Sequence, residues 1–135
     1  MPIVGFNIDK LSAEKTNNIS GKLEVKNNLG ITNIEPEKLT VGKSEEVLKF
    51  NFEYSINYSP KVGSISMEGS IMYMEEPNKI KEIMETWKKD KKIQGELMPL
   101  ILNTILSKCN IKALTMSQEV NLPPHIKLPV VKLNN

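Results

Sequence analysis

The chain has 135 residues, with 18 Lys and Arg against 16 Asp and Glu, a net charge of +2 and a hydrophobic fraction of 39%. That length fits one domain able to bury a core, and so even a charge balance lacks the basic excess expected of a nucleic-acid binder. The single cysteine, Cys109, excludes an internal disulfide and suits a reducing cytoplasm. Residues 1–10 mix Asn7 and Asp9 with apolar side chains, unlike a signal peptide, and the longest apolar run, residues 97–102, is far too short for a membrane span.

In chain order, Val4, Phe6 and Ile8 alternate with other residues at the period of a half-buried strand. The alternation slips at Lys10, and Leu11 and Ala13 extend the strand past a bulge. Asn17-Asn18 and Ser20-Gly21 mark a turn. A broken or bulged second strand carries Leu23, Val25, Leu29, Ile31 and Ile34, and is expected to end at Glu35-Pro36, since proline removes a ladder donor. Residues 38–44 form a loop or a short edge piece. In the third strand Leu48, Phe50, Phe52, Tyr54, Ile56 and Tyr58 share one face, while Lys49, Asn51, Glu53, Ser55 and Asn57 share the other. This is the pattern of an antiparallel sheet with one wet side. After the turn over residues 59–63, Ile65, Met67, Gly69, Ile71 and Tyr73 alternate in a fourth strand, which completes a hairpin.

Pro77 then opens a helix, with Ile80, Ile83, Met84 and Trp87 on a single stripe. The basic run over residues 88–92 ends it. A longer helix is expected from about residues 93–96, with Leu97, Leu100, Ile101, Ile105, Leu106 and Cys109 on a wide apolar face that Met98 and Leu102 broaden further. Pro99 lies near its start, and the helix runs on toward Ala113 and Met116. The tail containing Leu122-Pro123-Pro124-His125 is extended, because residues before prolines avoid helix. The grouping of strands before helices predicts an α+β fold, a four-stranded antiparallel sheet followed by two helices. The sheet occupies residues 1–76, the helices 77–120 and the Pro-rich tail 121–135 of a single domain.

Little in this pattern suggests catalysis. His125 is the only histidine and has no ligand-spaced partners. Cys109 lies on the apolar helix stripe, as a buried inert thiol does. Glu45-Glu46 and Glu75-Glu76 are adjacent pairs, and adjacent strand residues point to opposite faces. Gly42-Lys43-Ser44 lacks the earlier glycine of a phosphate loop, since Glu37 stands in its place. The sequence therefore predicts no enzyme, no metal site and no cofactor. Phe50, Phe52, Tyr54, Tyr58 and Tyr73 read as core. A helix apolar around most of its girth cannot be covered by one sheet, however, and uncovered apolar area marks a partner surface.

Several segments, in this order, resemble the SecB export-chaperone family. They are Phe6-Asn7-Ile8-Asp9-Lys10-Leu11 at the first strand, Leu97-Met98-Pro99-Leu100-Ile101 at the long helix, and Asn121-Leu122-Pro123-Pro124 with Leu128-Pro129-Val130-Val131 after it. The resemblance covers nearly the whole chain. It implies a homotetramer, a dimer of dimers with helices packed between outer sheets, and a groove that holds non-native polypeptide by apolar contacts and backbone hydrogen bonds without ATP. Met72, Met74, Met84, Met98 and Met116 would give such a surface adaptable side chains. Bacterial export members are acidic and dock the SecA motor through an acidic sheet surface and a C-terminal tail. This chain is slightly basic and has only a few residues after Val131, so SecA docking loses its usual support.

The expected groove residues are Ile31, Ile34, Trp87, Leu122 and Ile126, apolar positions on or beside loops. The expected subunit interface is Leu100, Ile101, Ile105 and Leu106. Unfolded or non-native proteins are the expected partners, with no nucleic acid and no membrane insertion. Two other functions fit the same apolar surplus: an adaptor for one folded partner, as in a toxin–antitoxin system, and a carrier of a small apolar ligand.

Overall fold

Alternating apolar residues build four strands, β1 (Ile3–Lys15), β2 (Glu24–Glu37), β3 (Glu46–Ser59) and β4 (Gly63–Glu75), followed by helices α1 (Pro77–Asp90) and α2 (Leu97–Glu119). The computed structural model describes residues 3–18, 21–37, 46–93, 95–129 and 131. The expected loop over 38–44, with Gly42-Lys43-Ser44, lies outside the described residues, as do Glu45, Ser20 and, apart from Val131, the tail after Pro129.

The strands form one antiparallel sheet in the order β1-β4-β3-β2, so β1 and β2 are its edges. β3 and β4 are joined by the expected tight turn. β1 and β2 lie at opposite edges, and the chain between them crosses the end of the sheet. This crossing is pinned to the β3–β4 turn. The Thr16 and Asn17 amides donate to the Val62 carbonyl, at 2.8 and 3.3 Å, and their side chains both donate to the Lys61 carbonyl at 2.7 Å.

Register shifts between Ile3 and Gly5 and between Ile8 and Lys10 in β1, and between Ile31 and Asn33 in β2, keep apolar residues of both edge strands facing the core. In β1 the register shifts between Ile8 and Lys10. The extra residue puts Phe6 and Ile8, and then Leu11 and Ala13, opposite the inward positions Ile71, Gly69, Met67 and Ile65 of β4. In β2 a shift between Ile31 and Asn33 likewise brings both Ile31 and Ile34 opposite the inward Phe52 and Phe50. β2 does not stop at Glu35-Pro36, as the sequence suggested. Pro36 pairs with Leu48 and the ladder continues to Glu37, because an edge strand can turn a missing donor away from its neighbour.

The inward faces of β3 and β4 form the core. Leu48, Phe50, Phe52, Tyr54, Ile56, Tyr58, Ile65, Met67 and Ile71 are all fully buried. α1 lies over β2 and β3, and α2 over β4. Pro77 occupies the first turn of α1, Lys88 and Lys89 its last turn, and Lys91 adopts a left-handed cap whose amide reaches the Trp87 carbonyl. α2 begins at Leu97, later than the earliest expected start, because Gly95 has φ +77° and breaks the helical path. Its buried side chains include Leu97, Ile101, Ile105, Cys109 and Ala113, one every fourth residue. The covered stripe is thus narrower than the apolar surface of the helix.

Candidate functional site

The strand order leaves β1 with a neighbour on its β4 side only, so alternate backbone N–H and C=O groups along it point to solvent. Beside this edge α2 overhangs the sheet. Between them lies a groove of about 590 Å³, lined by Phe6, Ile8, Asp9, Lys10 and Leu11 of β1 and by Lys108, Ile111 and Lys112 of α2. The three α2 residues fall within five positions, so they share one flank over little more than a turn. Leu11 is 48% exposed and Ile111 70% exposed, large for side chains of this size.

The groove floor is fixed from beneath. Phe6 stacks on the buried Phe52, with ring centroids 5.5 Å apart and planes at 21°. The Phe52 ring fits because Gly69, its partner on β4, has no side chain: a Cβ there would lie 3.0 Å from Phe52 Cζ. From above, the Lys108 ammonium sits 5.4 Å from the Phe6 ring centroid. The lining is therefore aromatic and aliphatic below and cationic at the rim. This arrangement can hold an extended apolar segment, and it offers no acid–base pair or nucleophile.

The residues expected to line a groove are placed differently. Ile34, Trp87 and Leu122 are 2%, 7% and 5% exposed and belong to the core. Ile31 is half-buried on β2 and packs against that core. Of the five, Ile126 alone is classed as exposed, at 38%, on the tail. None of the five lines the β1–α2 groove. All five are apolar and stand on or beside loops in the sequence, but α1, α2 and the tail fold down and cover most of them. Of the expected interface residues, Ile101 and Ile105 are fully buried inside the chain and have no area left for a partner, because both lie on the stripe facing the sheet. Leu100 and Leu106 are half-buried and keep area outside.

The tail is latched to the sheet by polar contacts. α2 ends at Glu119 with Val120 as its cap, Asn121 takes φ +58°, and the Leu122 amide donates to the Ser117 carbonyl at 2.8 Å. The Tyr58 hydroxyl then donates to the Pro123 carbonyl at 2.7 Å. Further along, His125 Nε2 lies 3.2 Å from the Tyr54 hydroxyl and 3.0 Å from Asn110 Oδ1. Asn110 Oδ1 can only accept, so a proton on Nε2 completes the contact. His125 Nδ1 is buried with no hydrogen-bond partner among the described residues, and burial holds the imidazole below its ordinary range. Burial also pushes Tyr54 up to about 12, against a smaller opposing effect of Asn27, and pushes the Cys109 thiol up to about 11. Cys109 is thus a poor nucleophile. Among the described residues, no group of three or more His, Cys, Asp and Glu side chains is placed to hold a metal ion, and no helix is long and apolar enough to cross a membrane.

Neither a protein-family model nor a curated protein matches the sequence. Solved structures do. The chain is similar to the SecB-like chaperone Rv1957 of Mycobacterium tuberculosis, solved in complex with a ChAD peptide from the Rv1956 HigA1 antitoxin. The match covers 99% of this chain and 92% of that one, with a TM-score of 0.58 and 10% sequence identity. The chain thus has the SecB-like fold: an α+β unit in which a four-stranded antiparallel sheet is followed by two helices.

Proposed function

We propose that this protein is a chaperone that binds non-native polypeptides in an apolar groove, without ATP and without a catalytic step. The observation that carries the reading is the β1–α2 groove. It places Phe6, Ile8, Leu11 and the protruding Ile111 beside an unpaired strand edge. An edge supplies backbone hydrogen bonds to any sequence, and apolar walls supply contact area tolerant of varied side chains. The similar fold of a SecB-like chaperone solved with a bound peptide supports the same reading. In the cell the protein would act in the cytoplasm, keeping clients from aggregating and competent for export. It would assemble as a homotetramer, in which Leu100, Leu106 and the exposed Val4 are the apolar positions available to sister subunits.

The test is light scattering of an aggregating client with and without an equal molar amount of this protein. Suppression is the expected result, and unchanged aggregation contradicts the reading. Multi-angle light scattering should give close to four chain masses. A second reading, an adaptor for one partner, is favoured by the peptide in the related structure, which comes from a single antitoxin. Pull-down separates the two, since one stoichiometric folded partner favours the adaptor and many unfolded clients favour the chaperone.

A further inference from the structure

We infer that the tail from Leu122 to Ile126 is an internal competitor: it fills a surface over Tyr54 and Tyr58 of β3 where an extended polypeptide segment binds in its place, an inference that rests on the polypeptide-binding reading above. α1 lies over β2 and β3, and α2 over β4. Beside α2 the tail completes the cover of β3, where Tyr54 and Tyr58 are each 1% exposed. Leu122 is buried against the start of β4, where Gly63 leaves it room: a Cβ there would stand 3.1 Å from both Leu122 Cδ atoms. Past this anchor the tail rises, and Ile126 and Leu128 are exposed.

The tail is held as a bound peptide is held. The Tyr58 hydroxyl grips the Pro123 carbonyl, a main-chain acceptor that every extended segment repeats. Leu122 fills its place with one aliphatic side chain, which many sequences supply. His125 adds the contact specific to its own side chain, at Tyr54 and Asn110. The surface also has an open margin. Val25 and Leu29 of β2 pair with Tyr58 and Tyr54 and share their face of the sheet. Both are only half-buried, and β2 has no neighbour on its outer side. An incoming apolar segment first covers this margin, then takes the tyrosine hydroxyl and the leucine site as the tail lifts. The closed tail thus lowers the apparent affinity by the fraction of time the surface is free.

The test uses the full chain and a dye-labelled peptide with Leu at alternate positions between Ser and Gly, titrated by fluorescence anisotropy. Leu122→Ala with His125→Ala loosens the tail and leaves Tyr54, Tyr58, Val25 and Leu29 intact. The variant should bind the peptide about tenfold tighter than the unaltered chain, since the apparent affinity follows the open fraction. Amide hydrogen exchange of the unaltered chain supplies a second reading that does not depend on the variant's stability. Saturating peptide should speed exchange at Leu122, whose amide donates to the Ser117 carbonyl, and at residues 125–128. Peptide binding with equal affinity in both proteins, or binding that leaves tail exchange unchanged or slower, would overturn the competitor and leave polypeptide binding standing. Binding by neither protein would overturn both.

Discussion

The Tyr54 hydroxyl donates a 2.7 Å hydrogen bond to Asn110 Oδ1, which ties the middle of β3 to the middle of α2. His125 closes the triangle from the tail. The long helix, the sheet and the tail thus meet at one partly buried polar point, on the flank of α2 away from the groove.

That point makes the tail sensitive to acid. Burial lowers the His125 pKa from an ordinary value of 6.5, and protonation would place a charge on an imidazole whose Nδ1 has no acceptor among the described residues. The unfolded chain therefore binds this proton more readily than the folded one. The stabilisation is complete above the unfolded pKa and is lost as pH falls toward the folded one. Thermal midpoints measured across this range should fall on acidification below about pH 6.5, and His125→Gln should flatten that part of the curve. An equal slope in both proteins would contradict the assignment.

Tyr58 anchors the same tail through the Pro123 carbonyl. Tyr58→Phe keeps the ring and removes the donor, leaving a poorly solvated acceptor, at a cost of about 1–3 kcal/mol. Urea denaturation gives the magnitude. Limited proteolysis should show earlier cleavage after residue 121 in the variant.

Gly69 and Gly30 should respond oppositely to alanine. A Cβ on Gly69 would meet the Asn7 carbonyl oxygen and lie 3.0 Å from Phe52 Cζ and Ile8 Cα, whereas one on Gly30 meets nothing within 4 Å. Gly69→Ala must push β1 away from β4 or displace the ring beneath the groove, with a loss of at least about 1–3 kcal/mol. Gly30→Ala should be neutral or stabilise by up to about 1 kcal/mol. Chemical denaturation of the pair checks both signs.

Two isoleucines of α2 separate stability from function. Ile105 is fully buried and Ile111 is 70% exposed. Ile105→Ala should cost about 2–5 kcal/mol of stability. Ile111→Ala should change stability by no more than about 0.5 kcal/mol and should weaken suppression of client aggregation. Denaturation and light scattering of the two variants give the comparison.

Much of the fold was legible because a strand repeats every two residues. The slip of β1 at Lys10 marks the Ile8–Lys10 bulge, since one extra residue shifts the apolar phase by one. The hairpin was legible from its short turn. The pairing of β1 with β4 was not, because a crossing held by hydrogen bonds to Lys61 and Val62 carries no periodicity. The groove depends on that pairing. Phe6, Ile8 and Leu11 read as ordinary inward strand residues, and Lys108 and Lys112 as solvated helix surface, until the strand order places β1 at an edge beside α2. Ile34, Trp87 and Leu122 looked available because nothing local covers them, and only the folded helices and tail show that they are core. The surplus of apolar helix surface was visible in the composition of α2, but which side of the helix carries it was not.

The most direct test of polypeptide binding at this groove is site-specific photo-crosslinking to a chemically unfolded client. A photoreactive amino acid is placed in turn at Leu11, at Ile111 and at Glu53, which is exposed on the polar face of the sheet. Strong client adducts from positions 11 and 111, with little from 53, are the expected result. Adducts of equal strength from all three, or none from 111, would contradict it.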